Sequence, residues 1–189
     1  MAKGAEHNAP FVDQSTPKLE VRVYSFAGVS AWTLAAAEEE TMSLLRPAGI
    51  VLAWMNCGAG PLAAACMEAN RADSLIVRIL PKALPQVSAS ALGIADASDR
   101  AAAAFVFYDR VLALRTHTRL APAILGRVMA HEISHLLLPE EQHSSLGLMK
   151  GRWAADDLEI ANCASLRLSA ESVVFMQREA LRRVLSVRR

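Results

Sequence analysis

The fold is decided by residues 19–55, which read LEVRVYSFAGVSAWTLAAAEEETMSLLRPAGIVLAWM. The first eight residues alternate between apolar and polar side chains, which predicts a β-strand over Leu19–Phe26 with one buried face. Ser30 is a typical N-cap residue and precedes a predicted helix over Ala31–Leu45. A second, mostly apolar strand follows at Ile50–Met55. A strand, a helix and a strand at this spacing form a βαβ unit, so the sheet is expected to contain parallel strands.

Further strands are predicted downstream of this unit. Ser74–Leu80 is a third strand, Ala104–Leu114 contains a fourth, and Ala91–Ala95 is a short edge strand. A helix is predicted from about Pro122 to Leu136, and two more follow Gly151. We therefore predict an α+β (α/β-like) fold, with a mixed, mostly parallel twisted sheet and an N-terminal βαβ unit.

The two C-terminal helices are predicted over residues 156–164 and after Ser169. The last helix is expected to bury an apolar stripe made of Val173, Val174, Leu181, Val184 and Leu185. With 189 residues the chain has the length of one domain. We expect a flexible N-terminal segment over residues 1–18 and a single folded domain over residues 19–189.

Composition excludes several classes of partner. The 20 Lys and Arg residues nearly balance the 19 Asp and Glu residues, and aromatic residues make up 5% of the chain. Such a chain has neither the positive field nor the stacking surface typical of nucleic-acid binding. The longest uncharged stretch, residues 47–67, is interrupted by proline, glycine and asparagine, so no membrane span is predicted. The sequence gives no indication of an oligomeric state.

Residues 131–135 read HEISH and lie late on a predicted helix. Two imidazoles four residues apart on a helix lie on one face, roughly 5–6 Å apart, and can bind one metal ion from the same side. Glu132 is then held beside the metal without being a ligand. Zinc lowers the pKa of its bound water to roughly 7, and a neighbouring carboxylate can accept the proton as the water attacks a carbonyl. The pattern predicts a hydrolytic zinc site with Glu132 as the general base.

A third histidine completes the expected ligand set. His143 follows the helix after a turn, and Ser144 and Met149 come shortly after it. A catalytic zinc site uses three protein ligands and leaves one position open. We therefore predict one catalytic Zn²⁺ held by His131, His135 and His143.

This run resembles the metzincin clan of zinc peptidases, whose signature is HExxHxxGxxH followed by a turn that contains methionine. His131, Glu132 and His135 match two ligands and the general base, His143 matches the third ligand, and Met149 matches the Met-turn. The run is also similar to an HExxHLLLG segment followed by HSxxGIM and Arg-Trp in uncharacterised bacterial metzincin-like proteins.

The run departs from the clan signature at two points. Leu138 stands where the clan has glycine, and His143 comes two residues later than the third ligand of the clan. Glu141 therefore occupies the position of that ligand. We expect the turn to accommodate the difference by a two-residue bulge, with Pro139 ending the helix.

The resemblance implies a zinc-dependent endopeptidase that acts on a peptide or protein substrate. In the clan, the substrate backbone lies antiparallel to an edge strand above the cleft. Leu92, Gly93 and Ile94 correspond to that strand here. Backbone pairing of this kind binds extended peptides, and side-chain pockets set the preference.

Two alternatives remain open from the sequence. A thermolysin-like zinc peptidase would use Glu159 as its third ligand, but this would leave His143 and Met149 without a role. A non-catalytic, zinc-containing peptide-binding protein is the other alternative. Glu132 argues against it, because a structural zinc site has no use for a base beside the metal.

Three cysteines are too few for a disulfide scaffold. Cys57 and Cys66 flank the loop CGAGPLAAAC and are predicted to form a disulfide, with Cys163 left reduced; three buried thiols are the alternative. Residues 1–18 contain no apolar segment typical of a signal peptide. The disulfide favours a secreted or periplasmic protein whose signal peptide is absent from this chain, and a cytoplasmic protein with reduced cysteines is the alternative.

Overall fold

The computed structural model describes residues 16–58, 66, 71–97, 102–114, 121–139, 143–153, 157 and 166–187. Within these residues the strands are β1 (Lys18–Ser25), β2 (Val51–Asn56), β3 (Ser74–Leu80), β4 (Gly93–Asp96) and β5 (Ala103–Phe107). The helices are α1 (Ala31–Leu45), α2 (Tyr108–Leu114), α3 (Ala121–Leu137) and α4 (Ala170–Val187), and a 3₁₀ turn at Arg46–Ala48 follows α1.

The strands form one sheet in the order β2-β1-β3-β5-β4. β1 pairs parallel with both β2 and β3, and β3 pairs parallel with β5. β4 pairs antiparallel with β5 and lies at the edge of the sheet. The predicted mixed, mostly parallel sheet with an N-terminal βαβ unit is confirmed.

The alternation of apolar and polar side chains along β1 determines which face of the sheet the helices cover. Leu19, Val21 and Val23 are buried and belong to one core cluster with apolar residues of α1 and α3. Between them, Arg22 is directed to the other face, where its Nε donates a hydrogen bond to Oε1 of Glu20 at 2.7 Å. α1 and α3 therefore pack together on one face of the sheet, and α3 also contacts β4 and β5.

The helix ends follow the local sequence. Ser30 Oγ accepts a hydrogen bond from the backbone N–H of Thr33 at 3.1 Å, as expected of the N-cap of α1. Ser169 Oγ accepts one from the N–H of Ser172 at 3.0 Å at the start of α4. None of the described helices is both long enough and apolar enough to cross a bilayer.

The strand predicted within Ala104–Leu114 is confirmed, and the remainder of that range is a helix that was not predicted. β5 ends at Phe107, and α2 takes over Tyr108–Leu114. Val111 of α2 is fully buried, and this helix contacts α3. Packing against α3 therefore makes a helix of residues that continue the apolar run of β5.

The apolar stripe predicted for the last helix is partly wrong. Val174, Leu181 and Leu185 are exposed, whereas Met176 and Ala180 are fully buried. Val173 and Val184 of the predicted stripe do pack against the core. The buried face of α4 is therefore rotated, and it follows helical spacing through Met176 and Ala180.

Two further predictions lie outside the described residues. They are the N-terminal segment up to residue 15 and the helix over residues 156–164, apart from residue 157.

Candidate metal centre

α3 carries two histidines of the site on one buried face. His131 and His135 are one helical turn apart, and their Nε2 atoms are 3.1 Å from each other. Their rings meet edge to face, with centroids 4.7 Å apart. The helical spacing seen in the sequence therefore does bring the two imidazoles to one point.

His143 reaches the same point from the segment that follows α3. Its Nε2 lies 3.2 Å from Nε2 of His135. One nitrogen from each of the three histidines lies within 4.8 Å of the other two. The seven residues between His135 and His143 thus do not prevent the third histidine from joining the pair.

The turn after His143 fixes the orientation of His131. Nδ1 of His131 lies 2.7 Å from the carbonyl oxygen of Leu148, so Nδ1 carries the proton and donates it to that carbonyl. The turn is held by the N–H of Ser144, which donates to the carbonyl of Met149 at 2.7 Å. Since its proton is on Nδ1, neutral His131 presents a lone pair at Nε2.

Met149 is buried in this turn, with 4% of its surface exposed. It belongs to the same core cluster as Leu148 and residues of α3. Trp153 follows the turn and packs edge to face on His131, with ring centroids 5.4 Å apart. The segment after His143 thus encloses the imidazole of His131 from two directions.

Burial keeps the two helix histidines neutral. Desolvation lowers the pKa of His131 to about 4, a shift that the Leu148 carbonyl opposes and His143 strengthens. Desolvation also lowers the pKa of His135 to about 3, helped by His131 and His143. Neutral imidazoles can bind a metal ion without first losing a proton.

The donor set fits zinc. Three nitrogens at the roughly 2.0–2.1 Å typical of zinc ligands, placed tetrahedrally, lie about 3.3–3.4 Å from one another. The observed separations of 3.1 and 3.2 Å are close to that value. Nε2 of His135 faces two other ring nitrogens, and a single proton on Nε2 can be donated in a hydrogen bond to only one of them. A cation between the three nitrogens satisfies all of them at once.

Glu132 lies between the two helix histidines in sequence and is 5% exposed. Its carboxylate rests against the backbone of β4: a Cβ placed on Gly93 would lie 2.6 Å from Oε1 of Glu132. The same Cβ would lie 2.5 Å from the carbonyl oxygen of Phe105 on β5. Only glycine fits at this position, and the sequence by itself gave no signal of this contact.

The histidines and Glu132 line a cleft of about 590 Å³. One wall is the edge of the sheet, including the three residues predicted there, Leu92, Gly93 and Ile94. The described strand β4 begins at Gly93, and the carbonyl of Leu92 accepts a hydrogen bond from the N–H of Phe107 at 2.9 Å. The rest of the lining includes Arg110 of α2 and residues 150–153.

Cys57 and Cys66 are joined by a disulfide, with Cα atoms 5.7 Å apart. Cys57 directly follows β2, at the edge of the sheet opposite to β4. The hydroxyl of Tyr24 donates to the carbonyl of Cys66 at 2.9 Å. The disulfide therefore ties down the edge of the sheet that is remote from the cleft.

Three residues that the sequence singled out, Glu141, Glu159 and Cys163, lie outside the described residues.

Comparison with known proteins identifies the fold. No protein-family model matches the sequence. No curated protein sequence matches it either. The structure matches the crystal structure of archaemetzincin from Methanopyrus kandleri with a TM-score of 0.52 and 14% sequence identity, covering 88% of this chain and 96% of that chain.

The chain has the archaemetzincin fold. Archaemetzincin belongs to the metzincin clan, so the resemblance inferred from residues 131–149 is confirmed at the level of the fold. At 14% identity the likeness to archaemetzincin is one of fold, and the chemistry depends on the residues of this site. Within this fold, His131, His135 and His143 each present a ring nitrogen to one point, where a metal ion can bind.

Proposed function

We propose that this chain is a zinc-dependent endopeptidase in which His131, His135 and His143 hold one zinc ion and Glu132 is the general base. The observation that carries the proposal is the convergence of three Nε2 atoms beside a buried carboxylate in one cleft. Zinc in such a site polarises the scissile carbonyl and makes water more acidic.

Glu132 supplies the proton transfer. Its carboxylate lines the same cleft as the three imidazoles and is held against β4. From there it can accept the proton of the attacking water and deliver it to the departing amine. A structural metal site would have no need of a buried carboxylate beside its ligands, so Glu132 favours hydrolysis over a purely binding role.

β4 supplies the surface for the substrate backbone. It pairs with β5 on one side, and its other side bears no strand among the described residues. An extended peptide can continue the sheet there by hydrogen bonds between main chains, which hold it across the cleft. We propose that it runs antiparallel to β4.

The test is the variant Glu132→Gln, which preserves shape but removes the base. We expect zinc content equal to that of the wild type and a loss of peptide hydrolysis on the order of a hundredfold or more. Cleavage of a random peptide library, followed by mass spectrometry, measures activity without assuming a specificity.

The matched control is Glu38→Gln. Glu38 is also a buried helix carboxyl, and desolvation raises its pKa, so the amide is a mild replacement. It lies on α1 outside the cleft lining and should leave hydrolysis unchanged. Equal cleavage by wild type and Glu132→Gln would contradict the proposed mechanism, and zinc binding without cleavage would favour the peptide-binding alternative.

A further inference from the structure

Arg110 is a cation of the cleft lining that is held in a fixed position. Its Nη1 donates to the carbonyl of Ser88 at 2.6 Å and also to the carbonyl of Ala91. Its guanidinium carbon lies 5.2 Å from the centroid of the Phe107 ring, and Phe107 is fully buried. Two carbonyls and a ring therefore fix the guanidinium before any ligand arrives.

None of these contacts neutralises the charge of Arg110. Carbonyl groups and an aromatic ring carry no net charge, and no carboxylate of the described residues forms an ion pair with Arg110. The hydrogen bonds to Ser88 and Ala91 use Nη1 alone. The edge formed by Nε and Nη2 is the one that matches a carboxylate with two parallel hydrogen bonds.

Other charged residues of the cleft lining add to the positive charge of Arg110. Among the described residues that line the cleft, Arg110, Lys150 and Arg152 are cationic and Glu132 is the one acidic residue. Lys150 is paired with Asp157 at 2.6 Å, but Arg152 is exposed. The described lining therefore has an excess of positive charge, which favours an anionic group in the ligand.

The direction of β4 determines which part of a bound peptide lies near Arg110. The segment held by Arg110, Ser88 to Ala91, leads into β4 at Gly93. A peptide that runs antiparallel to β4, as proposed above, has its C-terminal end beyond Gly93. Residues that follow the scissile bond are therefore the ones that approach Arg110.

We propose that Arg110 binds a carboxylate of the substrate on the C-terminal side of the scissile bond. The carboxylate is either an acidic side chain or the C-terminus of the peptide itself, because both present the same two oxygens. This inference rests on the proposed function, since it takes the cleft to be the peptide site. It makes Arg110 a residue that sets specificity, in addition to its contacts with Ser88 and Ala91.

The test measures binding and not cleavage. Zinc-loaded Glu132→Gln protein is immobilised and offered pools of N-acetylated octapeptides, randomised except at one position that carries Glu or Gln. Each pool is made with a free and with an amidated C-terminus. We expect peptides that carry the carboxylate to be enriched roughly tenfold over the matching amides. This ratio corresponds to the binding free energy of one charged hydrogen-bonded pair.

The pattern of enrichment identifies the source of the carboxylate. Enrichment of Glu over Gln at one position of amidated peptides identifies a side chain, and enrichment of free acids over amides identifies a C-terminus. Because Arg110 is partly exposed, the preference should fall as salt is raised.

Arg110→Gln in the same background should abolish this preference, because glutamine keeps a donor for the Ser88 carbonyl but carries no charge. The matched control is Arg78→Gln: Arg78 also lies over a phenylalanine, 5.6 Å from the centroid of Phe105, but it does not line the cleft. Arg78→Gln should keep the full preference.

The inference is overturned if acids and amides are captured equally by the parent protein, if neither is captured, or if Arg110→Gln keeps the preference. These outcomes are separate from those for hydrolysis. A protein that prefers carboxylates but cleaves nothing contradicts only the proposed function, and one that cleaves without this preference contradicts only the role of Arg110.

Discussion

At the scale of single residues, the proposed general base depends on a glycine. The carboxylate of Glu132 and the backbone of β4 approach so closely that a methyl group on Gly93 would lie 2.6 Å from Oε1. Non-bonded contacts of a Cβ atom are essentially never shorter than 3.0 Å, so either the carboxylate or the strand has to move.

We therefore predict that Gly93→Ala retains zinc and loses hydrolysis. A displacement of about 1 Å at a catalytic group can cost roughly a hundredfold in rate. Metal analysis and peptide cleavage on the same preparation measure the two effects, and far-ultraviolet circular dichroism checks that the sheet is intact. A Gly93→Ala protein that cleaves at the wild-type rate would show that the side chain of Glu132 has room to spare.

Some site residues could be predicted from the sequence and others could not, for physical reasons. His131 and His135 were predictable because helical periodicity alone brings residues four apart together. The placement of His143 depended on the path of a turn, which periodicity does not describe. The contact of Gly93 with Glu132 joins a strand to a helix far along the chain, and no local pattern encodes it.

At the scale of elements, the position of α3 depends on its packing against α1. The two helices meet closely at Gly126, where a Cβ would lie 2.5 Å from the carbonyl oxygen of Ala37 and 2.7 Å from Cβ of Glu40. The hydroxyl of Thr41 lies 2.9 Å from the carbonyl oxygen of Gly126 and 2.8 Å from that of Ala37, so its one proton is shared between the two helices at the crossing. Because α3 carries two of the histidines, this crossing also positions the metal centre.

We predict that Gly126→Ala destabilises the fold, although alanine is the better helix former by about 1 kcal/mol. Overpacking against a backbone carbonyl typically costs about 1–3 kcal/mol, and here it should outweigh the propensity. Urea unfolding measures the change. The control is Gly58→Ala, where a Cβ would meet nothing within 4 Å. An unchanged or raised stability of Gly126→Ala would mean that α1 can move away at little cost.

The elements were predicted best where one local pattern decided them. The cap at Ser30 and the alternation of β1 were clear, and the structure has both. α2 was missed because its residues continue the apolar run of β5, and only contact with α3 distinguishes a helix from a longer strand there. The face of α4 was misjudged for the same reason: the exposed Val174, Leu181 and Leu185 widen its apolar stripe, and the tertiary contact selects which part is buried.

At the scale of the whole molecule, a metal ion would join two parts of the chain. His131 and His135 belong to α3, and His143 belongs to the segment that returns past the end of that helix. An ion bound to all three is bound by the folded chain and not by the unfolded one, so it stabilises the fold by mass action.

We predict that removing zinc with a chelator lowers the melting temperature. Free zinc at 100 times its dissociation constant stabilises by about 2.7 kcal/mol, which corresponds to roughly 5–10 °C for a chain of this length. Thermal unfolding with zinc and with chelator measures the difference. His143→Ala should lose most of it, whereas Glu159→Ala and Glu141→Ala should keep it; the reverse for Glu159 would favour the thermolysin-like arrangement.

The side of β4 that bears no strand among the described residues has a consequence for the protein in concentrated solution. An edge that accepts a peptide by main-chain hydrogen bonds can accept the same edge of another copy, and unpaired edges are where sheet proteins aggregate. β4 is only four residues long and ends at the exposed Asp96. A strand of four residues offers a neighbouring chain few main-chain hydrogen bonds, so its shortness limits self-association and still leaves an edge where the proposed substrate can pair.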